Sequence, residues 1–302
     1  MIEQYVEQIK LLVNVLPYVA KEDCFALKGG TAINLFIRDL PRLSVDIDLA
    51  YVGFEDRATA FININSALQR IADRLNQANI RAVLQKSPDN ITKIICSNAK
   101  ATIKIEPNYT IRGYAYQPIK MIVSDKVQEK YGFASINVVS LAELFGGKIC
   151  AALDRQHPRD LFDIKYLLAN EGITNDVKNG FIISLLQHNR PPYELLSPNK
   201  QDLNQKFKQE FEGMSDEAFS VDDCICIFDE LVSKIKASLT NEDKHFLVDF
   251  FSLSSCWNKS LIPNIEKLPA IQWKLQNLEN LKQRNPEKFE NQIKQIKASL
   301  NL

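Results

Sequence analysis

Asp46 and Asp48 stand one residue apart in the run Leu43-Ser44-Val45-Asp46-Ile47-Asp48-Leu49, which alternates polar and apolar residues at strand period. A strand here puts both carboxylates on one face and Val45, Ile47 and Leu49 on the other. Neighbouring carboxylates repel, so the pair is costly unless a cation lies between them. Hard oxygen ligands suit Mg2+, with Mn2+ as a substitute; Mg2+ keeps several waters and is commonly shared between one or two carboxylates and substrate phosphates. Upstream lies Gly29-Gly30-Thr31, followed by apolar residues at helical spacing (Ile33, Leu35, Phe36, Leu40). Thr31 is therefore the expected N-cap of a short helix, and the glycines permit a tight turn before it. The N–H groups and positive dipole end of such a helix favour phosphate, and the Thr31 hydroxyl adds a donor. A phosphate-holding turn ahead of a metal-holding strand points to nucleoside triphosphate chemistry. The competing reading is an ordinary turn and an exposed acidic strand edge.

These residues resemble a known family. Gly29-Gly30-Thr31, a spacer and Asp46-Ile47-Asp48 are similar to the signature of the DNA polymerase β-type nucleotidyltransferase superfamily. Lys28-Gly-Gly-Thr-Ala32 with Arg42-x-Ser44-x-Asp46-Ile47-Asp48-Leu49 resembles, more narrowly, the AbiEii/AbiGii toxin branch that includes the MenT toxins. Downstream, residues 141–168 carry a helix-borne Lys148 followed by Arg159-Asp160-x-x-Asp163, similar to the second motif of that branch. The resemblance covers about the first 170 residues. It implies an α+β nucleotidyltransferase fold, an NTP substrate, and two metal ions about 4 Å apart held by Asp46, Asp48 and a third carboxylate. It also implies the toxin of a type IV-like toxin–antitoxin pair, with a cognate antitoxin as partner. The expected reaction moves a nucleoside monophosphate onto the 3′ end of tRNA. Transfer to a protein hydroxyl is the alternative within the fold, and a non-catalytic nucleotide-binding module is the alternative outside enzymology.

The third carboxylate is sought between the motifs. Ala101-Thr-Ile-Lys-Ile-Glu-Pro-Asn-Tyr109 alternates, with Thr102, Lys104 and Glu106 on one face. Glu106 is the candidate, as metal ligand or as the group that deprotonates the acceptor. Pro107 is expected to end the ladder just after it. The other reading of Glu106 is a surface acid paired with Lys93 or Lys104.

Lys148 lies in an apolar-periodic helix (Leu141, Leu144, Phe145, Ile149, Leu153), beside Gly146 and Gly147, which let another backbone or a ligand come close. The resemblance implies that it clamps triphosphate oxygens; a lysine snorkelling into solvent is the alternative. Asp160 falls in the first turn of a helix opened by Pro158 and is either a nucleotide-site residue or a capping acid. Asp163 shares its face, and the resemblance places it in the active site opposite the lysine. Arg42 and Ser44 are expected to contact nucleotide or acceptor, although Arg42 has Asp39 as a local partner. His157, between Gln156 and Pro158, reads as a loop histidine outside the site.

These residues need a scaffold. Helices are expected over residues 1–20 (Ile2, Val6, Ile9, Leu12, Val13, Leu16) and 57–78, and strands at about 80–85, 91–96 and 101–106 join the acidic strand in a small mixed sheet flanked by helices. The rest is mostly helical and ends in two helices broken at Asn285-Pro286. The expected division is a nucleotidyltransferase domain over 1–135 and a helical domain over 136–302 that contributes Lys148 and Asp163.

Composition bounds the setting. The 302 residues are 45% hydrophobic and 25% charged, enough for a full core in two domains. The acidic, amphipathic start is unlike a signal peptide and no apolar run reaches membrane-spanning length, so a cytoplasmic protein without membrane contact is expected. Cys24, Cys96, Cys150, Cys224, Cys226 and Cys256 read as reduced core residues, and Cys224-x-Cys226 as part of a helix. A formal net charge of zero excludes a uniformly basic coat but not a local patch. One candidate RNA patch is Lys93, Lys100, Lys104, Arg112 and Lys120 with Tyr109, Tyr114 and Tyr116, the tyrosines being either base-stacking platforms or sheet packing.

Overall fold

The computed structural model describes residues 3–88, 90–254, 257 and 262–302. Ile2 and Cys256 lie outside the described residues. The chain forms two compact units, one of residues 1–140 with 212–218 and one of residues 141–211 with 219–302.

The first unit is a mixed seven-stranded sheet with helices. In chain order it runs α1 (Glu3–Val19), β1 (Phe25–Lys28), α2 (Gly29–Ala32) continuing into a π-helical turn (Ile33–Ile37), β2 (Asp46–Tyr51), α3 (Arg57–Gln77), β3 (Arg81–Lys86), β4 (Ile91–Ser97), β5 (Thr102–Arg112), β6 (Ile119–Ile122), α4 (Asp125–Tyr131) and β7 (Ser135–Val138). The strand order is β3-β4-β5-β2-β1-β7-β6. Strands β2 and β5 pair in parallel, as do β1 and β7, and the remaining pairs are antiparallel. One face of the sheet is apolar: Ile47 and Leu49 of β2, Ile94 and Cys96 of β4, and Ile103 and Ile105 of β5 are buried. The stripes Ile9-Leu12-Val13-Leu16 of α1 and Ile64-Leu68-Ile71-Leu75 of α3 are buried with them, the packing that their helical spacing requires. Buried Glu22 ties this layer together by accepting from Arg70 (2.6 Å) and pairing with Arg74 (2.7 Å).

Three local expectations are corrected. The acidic strand begins at Asp46, not Leu43, because the Leu43 N–H donates to the Met214 carbonyl (2.8 Å) and so leaves the ladder. Segment 212–218 belongs to the sheet unit for this reason, and Ser215 Oγ donates to the Pro41 carbonyl (2.8 Å). The sheet also gains β1, β6 and β7, which carry no alternation long enough to announce a strand. Finally, Pro107 does not end β5. Pairing with β4 stops at Ile105, while pairing with β2 continues through Pro107↔Leu49 to Asn108↔Ala50. The proline thus sits where one edge of the strand is already open, the position in which its missing N–H costs least.

The second unit is helical: α5 (Leu141–Arg155), α6 (Pro158–Asn170), α7 (Asn175–Gln187), α8 (Pro192–Leu196), α9 (Asn204–Glu210), α10 (Val221–Ser238), α11 (Asn241–Phe251), α12 (Pro269–Arg284) and α13 (Pro286–Leu300). Glycines set its tightest contact. A Cβ on Gly146 would lie 2.0 Å from the Gly180 carbonyl carbon, so α5 and α7 meet backbone to backbone and the close approach at Gly146 is made by a helix. Cys224 is buried on α10 while Cys226 is exposed, and Phe162, Phe211 and Phe219 form an aromatic cluster with centroids 5.0–5.3 Å apart. Among the described residues no helix is long and apolar enough to cross a membrane.

Candidate functional site

In the sheet unit, register assembles the acids. The parallel ladder sets Asp46 beside Lys104 and Asp48 beside Glu106, and the antiparallel ladder sets Lys28 of β1 on the other side of Asp48. Paired residues share a face, so Asp46, Asp48 and Glu106 project from the side opposite the buried isoleucines, with neighbouring strands about 4.8 Å apart. Glu106 also lies 3.6 Å from Lys93 Nζ. Both of its sequence readings therefore meet in one place: a lysine-paired acid that stands next to Asp48.

The glycine turn is fitted to these groups. Gly29 has φ +76°, and a Cβ there would lie 2.5 Å from Asp48 Oδ2. Gly30 lies under Arg42 and Ser44, where a Cβ would come within 2.6 Å of the guanidinium and 2.9 Å of Ser44 Oγ. Arg42 is buried and donates to the Leu43 carbonyl (2.8 Å), while Asp39, its expected partner, pairs with Lys126 (3.0 Å). Gly29→Ala combines left-handed backbone with a collision on the acid. It should cost about 1–2 kcal/mol in stability and lower transfer by displacing Asp48, which parallel chemical denaturation and labelled-nucleotide assays would read.

Thr31 is not the N-cap. Lys28 holds that position without a side-chain cap bond, and Thr31 is fully buried inside the first turn. Its hydroxyl donates to the Asp46 carbonyl, so the Ser44 hydroxyl 3.0 Å away donates to it in turn. Thr31 and Ser44 therefore pin the start of β2 to the turn, which leaves the Thr31 proton unavailable to a phosphate. The stretch is also a single α-turn that passes into a π-turn, so the expected dipole of a regular helix is weak here.

Among the described residues no three His, Cys, Asp or Glu side chains converge closely enough to cage an ion alone. Mg2+ is normally held by one or two carboxylates, with water and phosphate completing its shell. Asp46 and Asp48, on one face of β2, offer the one or two carboxylates that such an ion needs.

In the helical unit, the second motif forms a buried ion-pair cluster. Lys148 Nζ lies 2.8 Å from Asp160 Oδ1 and 2.9 Å from Asp163 Oδ2, and Arg155 donates to both Asp160 oxygens (2.6 and 3.1 Å). Lys148 is 6% exposed, Asp160 1% and Asp163 2%, so Lys148 does not snorkel into solvent. Burial alone would raise the Asp160 carboxyl, but the Lys148 ammonium and Arg155 guanidinium outweigh it and hold the group well below the usual carboxylate range. Asp160 is the hub of this cluster rather than a simple capping acid.

The cap is His157, so this histidine belongs to the start of α6 and not to a loop. Its Nδ1 accepts from the Arg159 N–H (3.1 Å), so Nε2 carries the proton toward Glu210 Oε2 (2.7 Å). Burial lowers the His157 pKa against the opposing pull of Glu210, which favours the neutral ring. A histidine directly before Pro at N1 was the available signal.

The expected RNA patch separates. The Tyr109 hydroxyl lies 2.9 Å from Asn65 Oδ1 and from the Ile91 carbonyl, its ring packs edge-on against Phe61, and burial pushes its pKa up to about 12. Arg112 is buried and donates to the Glu55 carbonyl (3.2 Å). Tyr109 and Arg112 belong to the packing because β5 runs on to Arg112.

No curated protein sequence matches the chain. Among solved structures it is similar to MenT4, a nucleotidyltransferase toxin of Mycobacterium tuberculosis H37Rv, at 12% identity and a TM-score of 0.61, over 80% of this chain and 87% of that one. That likeness shows the fold. The family model described as the nucleotidyl transferase AbiEii toxin of type IV toxin–antitoxin systems matches residues 10–230, most of the chain. With both motifs inside the matched span, the chain belongs to the AbiEii nucleotidyltransferase toxin family.

Proposed function

We propose that this chain transfers a nucleoside monophosphate from an NTP to the 3′ end of tRNA in a Mg2+-dependent reaction, in the cytoplasm, and that a cognate antitoxin restrains it. The observation that carries this reading is the row Lys28–Asp48–Glu106, which lies across three adjacent strands beside a positive-φ glycine. In this reading Asp46 and Asp48 hold the metal and Glu106 either joins them or accepts the proton of the attacking hydroxyl. The ion, Mg2+ or Mn2+, would supply charge neutralisation on the triphosphate and a lower pKa for the acceptor hydroxyl. Gly29 and Gly30 bring backbone up to the nucleotide, Arg42 and Ser44 line the same turn, and Thr31 positions β2. The family motif implies a part in the reaction for Lys148, Asp160 and Asp163. The bonds within their cluster favour a division of labour in which Asp160 and Arg155 orient Lys148 and Asp163.

The test is incubation with Mg2+, each α-labelled NTP in turn, total tRNA and cell protein, with Asp48→Asn as control. Label in tRNA from the wild type alone supports the reading. Label in protein alone replaces the acceptor, and no label in either refutes transfer to them.

A further inference from the structure

The sheet face that carries the acids continues past them. Arg81, Val83 and Gln85 of β3 point away from the core, because Ala82 on the opposite face is buried. Register extends this face across four strands. Gln85 pairs with Lys93, which contacts Glu106, the neighbour of Asp48. Val83 pairs with Ile95, Ile95 with Lys104, and Lys104 with Asp46. Arg81 pairs with Ser97 and Ser97 with Thr102. With strands about 4.8 Å apart, Gln85 lies about 14 Å from Asp48 along its row.

This outer surface is open. Arg81, Gln85, Thr102 and Lys104 are exposed, and Val83 is 45% exposed. Among the described residues neither Arg81 nor Lys104 has a carboxylate partner, and Glu106 is the only acid on strands β3 to β5 of this face. Arg81, Lys93 and Lys104 flank the apolar pair Val83 and Ile95 on this face, with Gln85, Ser97 and Thr102 beside them and no ring to stack bases, which is chemistry for a phosphate backbone bound with little regard to sequence.

We propose that the exposed face of β3, β4 and β5 is the track for the single-stranded 3′ segment of an RNA acceptor, with Arg81 and Lys104 binding its phosphates. The inference rests on the transfer reading above, since only a strand that ends at Asp46 and Asp48 has reason to lie along this face. Lys93 is held by Glu106 and serves to keep that acid in place.

The test compares wild type with Arg81→Gln/Lys104→Gln, two exposed changes that leave the core face of the sheet untouched. A fluorescent single-stranded RNA with a free 3′ hydroxyl is titrated at 50 to 200 mM salt. Affinity for Mg2+-NTP and the KM and kcat of transfer to RNA are measured alongside. Loss of two phosphate contacts should flatten the log–log salt slope by about 1.4, so that wild-type affinity falls about sevenfold more than that of the variant over this range. KM for RNA should rise while NTP affinity and kcat hold. If wild type labels RNA and the variant matches it in KM and slope, the track is wrong and the transfer reading stands. If label enters protein only, the transfer reading falls. In that case the track falls with it, because an acceptor RNA strand is what it was inferred to hold.

Discussion

Asp48→Asn should reduce nucleotide transfer by about 10²–10³-fold and leave the sheet intact. The size follows from the several kcal/mol of charge stabilisation that a correctly held metal supplies, at a factor of ten per 1.36 kcal/mol. The specificity follows from position. Asp48 stands between Lys28 and Glu106 in the ladder, and a Cβ on Gly29 would meet its carboxylate at 2.5 Å. Asparagine keeps that shape and removes the charge, which also relieves repulsion with Asp46 and Glu106. Stability should therefore hold or rise slightly while turnover collapses. Turnover with labelled NTP and chemical denaturation on the same preparation separate the two, and wild-type transfer in the variant would remove the acidic strand from the mechanism.

Lys148→Ala should have the largest effect on stability, a loss of about 3–5 kcal/mol, because it leaves two buried carboxylates short of their shared cation. Arg155 still reaches Asp160 and offsets part of that cost. The pH dependence has a definite sign. Asp160 has a depressed folded-state pKa, so its stabilising contribution is fully present above its unfolded value of about 4 and is lost as pH falls toward the folded value. Wild type should accordingly weaken steadily below about pH 4, and Asp160→Asn should flatten that decline in urea titrations run from neutral to acid pH. Loss of transfer by Lys148→Ala with undiminished stability would contradict the buried-cluster reading and return Lys148 to a purely substrate-facing role.

The chemistry was legible in the sequence to the extent that it is local. Alternation through Asp46-Ile47-Asp48 determines that two acids share a face, because side chains in a strand repeat every second residue. Three- and four-residue spacing similarly determines the apolar stripes of α1 and α3, and Pro158 marks the start of α6. The two motifs and their order were enough to indicate the family. Contacts between distant segments were not legible. Whether Thr31 caps a helix or binds the Asp46 carbonyl depends on how closely β2 returns to the turn, and periodicity does not encode that distance. Strand β1 was missed because four mostly buried residues show no alternation, and Pro107 was misread because an open edge exists only once neighbouring strands are in place.

What the sequence by itself determined is therefore the inventory: the acids, the glycines, the lysine motif and the elements that carry them. Only the tertiary structure decided their company. Pairing Asp48 with Glu106, setting Lys93 against Glu106 and burying Lys148 between Asp160 and Asp163 depend on strand register and helix packing. Register is chosen by the apolar face of the whole sheet, since a one-residue slip would turn Ile103 and Ile105 out of the core and carry Glu106 away from Asp48.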